Sequence, residues 1–155
     1  MSDSDTITLH PIGHVHTAVA DADVPRRRRD IVSTIELLPR YAAALRGIEA
    51  YSHLIVLFWM DRATPSTELT CHPRGNPELP LTGVLAARGR NHPNPVGLAV
   101  TELLEVRDHC LTVRRLDAYD GTPVIDIKPY DDYDRVEAPR VPAWFGARAR
   151  SPRER

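Results

Sequence analysis

Residues 54–60 read LIVLFWM, seven consecutive apolar residues dominated by branched and aromatic side chains. A run this short cannot cross a bilayer, which takes about 20 residues as a helix. Branched and aromatic side chains fit a pleated surface, and an apolar run without alternation reads as a strand covered on both faces. A chain carrying this segment has to build a sheet around it, and the flanking text supplies the partners. Residues 7–19 (ITLHPIGHVHTAV) alternate, with Pro11 confining them to an edge or a bend. Residues 33–37 (STIEL), 82–88 (TGVLAAR), 96–106 (VGLAVTELLEV), 106–120 (VRDHCLTVRRLDAYD, after a turn at Arg107 and Asp108) and 122–130 (TPVIDIKPY) read as further strands.

Helical text is scarce. Residues 38–51 (LPRYAAALRGIEAY) predict the clearest helix, with Pro39 in the first turn, alanines in the middle and Gly47 at the C-cap. Residues 20–30 (ADADVPRRRRD) lack periodicity and read as a loop, as do residues 62–80, which hold four of the fourteen prolines. Strands outnumber helices too heavily for a doubly wound sheet, and no G-x-G-x-x-G follows a strand. The expected fold is mainly β: a small closed or nearly closed barrel with one or two helices and long loops. It would form one domain over residues 1–145, followed by a flexible tail at 146–155.

With 20 basic and 21 acidic residues, the net charge of −1 lacks the overall basic bias usual in nucleic-acid binders. Local patches remain at Arg26–Arg29 and at Arg148, Arg150, Arg153 and Arg155. Two cysteines, Cys71 and Cys110, without a secretory leader point to reduced thiols and a cytoplasmic setting.

No P-loop, H-E-x-x-H or G-x-S-x-G is present. His14 and His16 share a strand face but lack an evident third metal ligand, and Cys71 beside His72 is no stronger. Two stretches are denser. In RGRNHPNPVG (88–97), Pro93 and Pro95 fix φ on both sides of Asn94, presenting it at reduced entropic cost, and Gly97 permits close approach. In LDAYDGTPVIDIKPY (116–130), Asp120–Gly121 has the composition of a turn. Asp117, Asp120, Asp126 and Lys128 crowd an apolar stretch, which is costly unless they are paired or engaged by a ligand.

These stretches resemble the TsaA-like or YaeB-like proteins, whose best-characterised members are tRNA methyltransferases of the TrmO type. HPIGHVHT resembles the family's opening P-I-G-x-V/I-x-S/T. PRYAAALRGIEAYSHLIVLFW resembles its P-x-Y-x-x-A-L-x-G-I/L-E-x-F/Y-S-H-L-x-V-L-F-W. The proline loop resembles A-T-R-S-P-x-R-P-N-P-I-G, and LDAYDGTPVIDIKPY matches L-D-x-x-D-G-T-P-V-x-D-I-K-P-Y almost without change. The match is collinear over roughly residues 8–145.

The resemblance implies a β-barrel enzyme that binds S-adenosyl-L-methionine and works as a homodimer. It would methylate N6 of threonylcarbamoyl-adenosine beside the tRNA anticodon. Cofactor contacts would fall on Pro25, Arg26 and Arg27, on Met60 and Asp61, on Arg88, Leu98 and the turn Asp120, Gly121, Thr122 and Pro123. His92 and Asn94 of the proline loop join them. Candidates for removing the acceptor's proton are Asp61, Asp117 and Tyr130. The chain departs from the family at Arg27 (usually Gln), Asp61 (His), Gly89–Arg90 (Ser-Pro) and His92 (Arg). These departures and the neutral charge leave two further readings open: a methyltransferase for a small molecule, and a non-catalytic S-adenosylmethionine-binding module.

Overall fold

In the computed structural model, which describes residues 6–64 and 66–148, the apolar run does form a strand. The eight strands are β1 (Gly13–His16), β2 (Val32–Leu37), β3 (His53–Trp59), β4 (Thr70–Cys71), β5 (Thr82–Gly83), β6 (Val96–Arg107), β7 (Cys110–Arg114) and β8 (Pro123–Pro129). Six close a barrel in the order β1-β2-β7-β6-β3-β8, with β8 returning to β1; β4 and β5 pair separately. Every pairing is antiparallel. Closure removes the exposed edges that an open six-stranded sheet would present.

The period of two along each strand fills the barrel. Leu54, Val56 and Phe58 of β3 point inward and meet Val15, Ile35, Leu37, Leu111, Val113 and Val124. Each such side chain contributes about 1.5–3 kcal/mol of transfer free energy. The outward residues of β3 behave differently. Ile55, Leu57 and Trp59 are half-buried and lie opposite Val100, Leu98 and Val96 of β6, which are 38%, 46% and 42% exposed. The apolar run is therefore covered on the barrel side, while its other face belongs to an apolar strip on the outside of the chain.

Three local expectations are corrected. Residues 38–51 form no α-helix: Pro39–Leu45 and Ile48–Ala50 are two 3₁₀ segments separated by Gly47 at φ 87°. The N–H of Arg46 bonds to the carbonyl of Ala43 in an i→i−3 pattern, and the left-handed glycine stops propagation before a stable α-helical length is reached. Residues 82–88 contribute only the two-residue β5 before Val84–Ala86 turns into 3₁₀. The loop at 20–30 instead contains a one-turn helix, α1 (Val24–Arg27), started by Pro25 and pinned by buried Val24. A second helix, α2 (Ala143–Arg148), runs across the point where the tail was expected to begin. Arg150, Arg153 and Arg155 lie outside the described residues.

Candidate functional site

At one end of the barrel, where β3 ends and β8 begins, a cleft encloses about 220 Å³. Val24 and Pro25 of α1, Phe58 in β3 and Met60 after it, and Ala118, Tyr119 and Thr122 before β8 line it, together with Asp61 and Asp117. Three distant stretches of chain thus present apolar walls, two carboxylates and the arginines Arg28 and Arg62 to one space. Phe58 holds its position because Gly97 lies directly opposite on β6: a Cβ on Gly97 would approach the Phe58 ring to 2.1 Å. The closeness read from Gly97 is therefore the approach of an aromatic ring.

The Asp120–Gly121 turn is locked to β1. The N–H of Gly121 donates to the Val15 carbonyl at 2.8 Å, and Val15 N–H returns the bond to Thr122 at 2.9 Å. Gly121 has φ 81°, a conformation that strains any residue with a Cβ. The Asp120 carboxylate turns away from the cleft and accepts the Thr17 N–H at 3.0 Å, 3.9 Å from His16. Arg62, which the sequence reading passed over, clamps this turn. Its guanidinium pairs with Asp21, donates to the Asp120 carbonyl at 2.9 Å and lies 5.3 Å from the Tyr119 ring centroid.

The proline loop touches this cleft through Arg90 and through Met60, whose N–H donates to the Pro95 carbonyl at 2.8 Å. The rest of its start lines a second cleft of about 350 Å³ with Cys71, His72 and Arg74. Arg88 and His92 face this second space. Arg88 donates to the Leu98 carbonyl at 3.0 Å, and His92 Nε2 lies 2.8 Å from the Ala87 carbonyl. The anticipated cofactor contacts consequently divide. Pro25, Met60, Asp61 and Thr122 share the first cleft, Arg88 and His92 share the second, and Leu98 sits on the outer apolar strip. Arg28, just after α1, lines the first cleft, while Arg26 and Arg27 do not; Arg27 pairs with Asp30 at 3.6 Å. Asn94 is exposed, and its carbonyl accepts the Val96 N–H at 2.8 Å.

Of the three acid–base candidates, Asp61 and Asp117 line the first cleft and Tyr130 does not. Tyr130 follows the far end of β8, where its N–H bonds to the His53 carbonyl and its ring stands edge-on to His53 at 6.4 Å. A seven-residue strand spans about 20 Å, which removes Tyr130 from chemistry in that cleft of the same chain. Asp126 and Lys128 neutralise one another across 2.9 Å, and this hydrogen bond raises the Lys128 ammonium above its ordinary range. His16 bonds to Glu36 at 3.0 Å, and among the described residues no group of three or more His, Cys, Asp or Glu side chains could hold a metal. No helix among them is long and apolar enough to cross a membrane.

A closed six-stranded antiparallel barrel with a cleft at one end defines the class: a small barrel protein whose candidate site is built from loops and strand ends. Residues 15–135 match the sequence profile of the tRNA-methyltransferase O N-terminal domain, and the chain belongs to that family. An S-adenosyl-L-methionine-binding protein of Archaeoglobus fulgidus is 46% identical over 125 residues, covering 79% of this chain and 88% of the relative. The tRNA (adenine(37)-N6)-methyltransferase of Escherichia coli is 41% identical over 104 residues, covering 57% of this chain and 40% of that enzyme. The crystal structure of TrmO from Pseudomonas aeruginosa superposes with a TM-score of 0.72 at 32% identity, over 89% of this chain and 62% of that one. The chain thus spans less than two thirds of either of these two longer proteins.

Proposed function

We propose that this chain binds S-adenosyl-L-methionine in the first cleft and transfers its methyl group to N6 of threonylcarbamoyl-adenosine beside the tRNA anticodon. The observation that carries the reading is the meeting of Val24, Phe58 and Met60 with Asp61 and Asp117 in one space. Apolar walls suit a purine and a thioether, and carboxylates suit a sulfonium and an ammonium group. The bound cofactor supplies an electrophilic methyl on a positively charged sulfur. The residues of the chain hold the acceptor nitrogen in line at near-attack distance and exclude water, which lowers the barrier by several kcal/mol. Asp61 or Asp117 accepts the N6 proton as the new bond forms.

A cleft of about 220 Å³ is smaller than the roughly 300–1,000 Å³ of typical ligand sites. The outer strip of Val96, Leu98 and Val100 with Ile55, Leu57 and Trp59 supports completion by a second copy. Large exposed apolar patches mark association surfaces, and Leu98, with the attached Arg88, would reach the site from the partner. A cytoplasmic setting, in which Cys71 and Cys110 stay reduced, fits this reading.

The test is incubation of the purified chain with S-adenosylmethionine and tRNA bearing threonylcarbamoyl-adenosine, followed by mass spectrometry of the nucleosides. The reading expects one added methyl on that nucleoside; its absence, with cofactor binding intact, rejects the acceptor. A small-molecule acceptor is favoured by the net charge of −1 and by the two carboxylates lining the cleft. Labelled methyl transfer to a metabolite extract would identify it, and binding without any transfer would indicate a non-catalytic module.

A further inference from the structure

We propose that the second cleft is a phosphate subsite, seating a phosphodiester of the acceptor next to the nucleotide being methylated. The proposal rests on the acceptor reading given above and adds a location for the acceptor's charge. Three arginines, Arg74, Arg88 and Arg90, and two histidines, His72 and His92, line this cleft, and among the described residues no carboxylate does. In a chain with net charge −1, such segregation creates a local field that attracts anions.

Both histidines are held by backbone carbonyls. His72 Nδ1 lies 2.7 Å from the Leu79 carbonyl and His92 Nε2 lies 2.8 Å from the Ala87 carbonyl. A carbonyl can only accept, so each ring donates through that nitrogen. The other nitrogen of each ring has no hydrogen-bond partner among the described residues. Arg74 is held at φ 56°, a left-handed conformation that strains a non-glycine residue. Strain of this kind persists where the surroundings impose it, and here it falls at the rim of the basic cleft.

Arg90 joins the two spaces. It lines both clefts, and among the described residues no hydrogen bond or ion pair engages its guanidinium. A nucleoside whose base enters the first cleft would therefore carry its phosphate toward Arg90 and the second. An oxyanion could also come from the carboxylate of the methyl donor itself, and the experiment separates the two sources.

The test combines amide NMR of the ¹⁵N-labelled full chain titrated with pyrophosphate, binding of an anticodon stem-loop RNA across a salt series, and calorimetry with S-adenosylmethionine. These are done on the wild type and on Arg74→Ala and Arg74→Lys. The proposal expects pyrophosphate to shift amides at 72–76 and 88–92. It expects Arg74→Ala to weaken RNA binding about 10-fold at low salt and to flatten the log–log salt slope by about 0.7–0.9. Arg74→Lys should recover part of the loss, and cofactor affinity should stay unchanged. Undiminished RNA affinity in Arg74→Ala overturns the subsite, and so does a loss confined to cofactor binding, which would assign the cleft to the donor's carboxylate. If the wild type binds no RNA, the tRNA acceptor falls. In that case a pyrophosphate shift upholds the phosphate site, and no shift overturns it as well.

Discussion

The two clefts share Arg90 and differ in their apolar surface and in their carboxylates. The first is built on the barrel: Phe58 and Thr122 are buried, 4% and 3% exposed, Phe58 fixed by strand pairing and Thr122 by the bond from Val15 N–H to its carbonyl. The second is built on loops around β4 and β5, with Arg74, Arg88 and Arg90 exposed at its rim. The first combines apolar walls with two carboxylates and the arginines Arg28, Arg62 and Arg90, and the second carries arginines and histidines without a carboxylate among the described residues. The contrast teaches that the rigid part of the fold is suited to positioning a reacting group, and the loop part to capturing charge.

The largest effect is expected from Gly97→Ala. The added Cβ collides with the Phe58 ring, and overpacking of this kind costs about 1–3 kcal/mol. Calorimetric Tm should fall by roughly 2–10 °C and cofactor affinity should drop, while pyrophosphate shifts at the second cleft persist. Loss at both clefts together would break the comparison. Next, Asp61→Asn and Asp117→Asn separate binding from proton transfer. Whichever residue is the base should lose about 10²-fold or more in the methyl-transfer rate, with cofactor binding by calorimetry changed only a few-fold.

How far the sequence disclosed this arrangement depended on range. The alternation in β6 and the apolar run in β3 located the barrel wall, because burial with a period of two is a local property of a strand. The alanines at 42–44 misled, since helix propensity sums to little over the two turns that Gly47 allows. The division of the proline loop between two clefts was hidden, because spacing in sequence does not say which side of a loop faces which cavity. Arg62 carried no local signal: its partners Asp21 and Asp120 lie 41 and 58 residues away.

Arg62 gives the next test. Arg62→Ala releases the carbonyl of the Asp120 turn and should weaken cofactor binding about 3- to 10-fold, the scale of one or two charge-assisted hydrogen bonds. The smallest effect concerns the cysteines. Burial, reinforced by Glu36 and Asp108, raises the Cys110 thiol above its ordinary pKa. Its neutral form is therefore favoured, a stabilisation present below the unfolded pKa and lost as pH rises through the folded one. Alkylation of Cys110 near pH 8 should be several-fold slower than that of glutathione, and pyrophosphate should protect Cys71, which lines the second cleft, without affecting Cys110.

The location of the methyl donor is read most directly by NMR with S-adenosylmethionine labelled in its transferable methyl group. The donor methyl should show nuclear Overhauser contacts to the side-chain methyls of Met60 and Thr122. Saturable binding with contacts only to Cys71, His72 or His92, or no binding at all, would contradict the assignment of the first cleft.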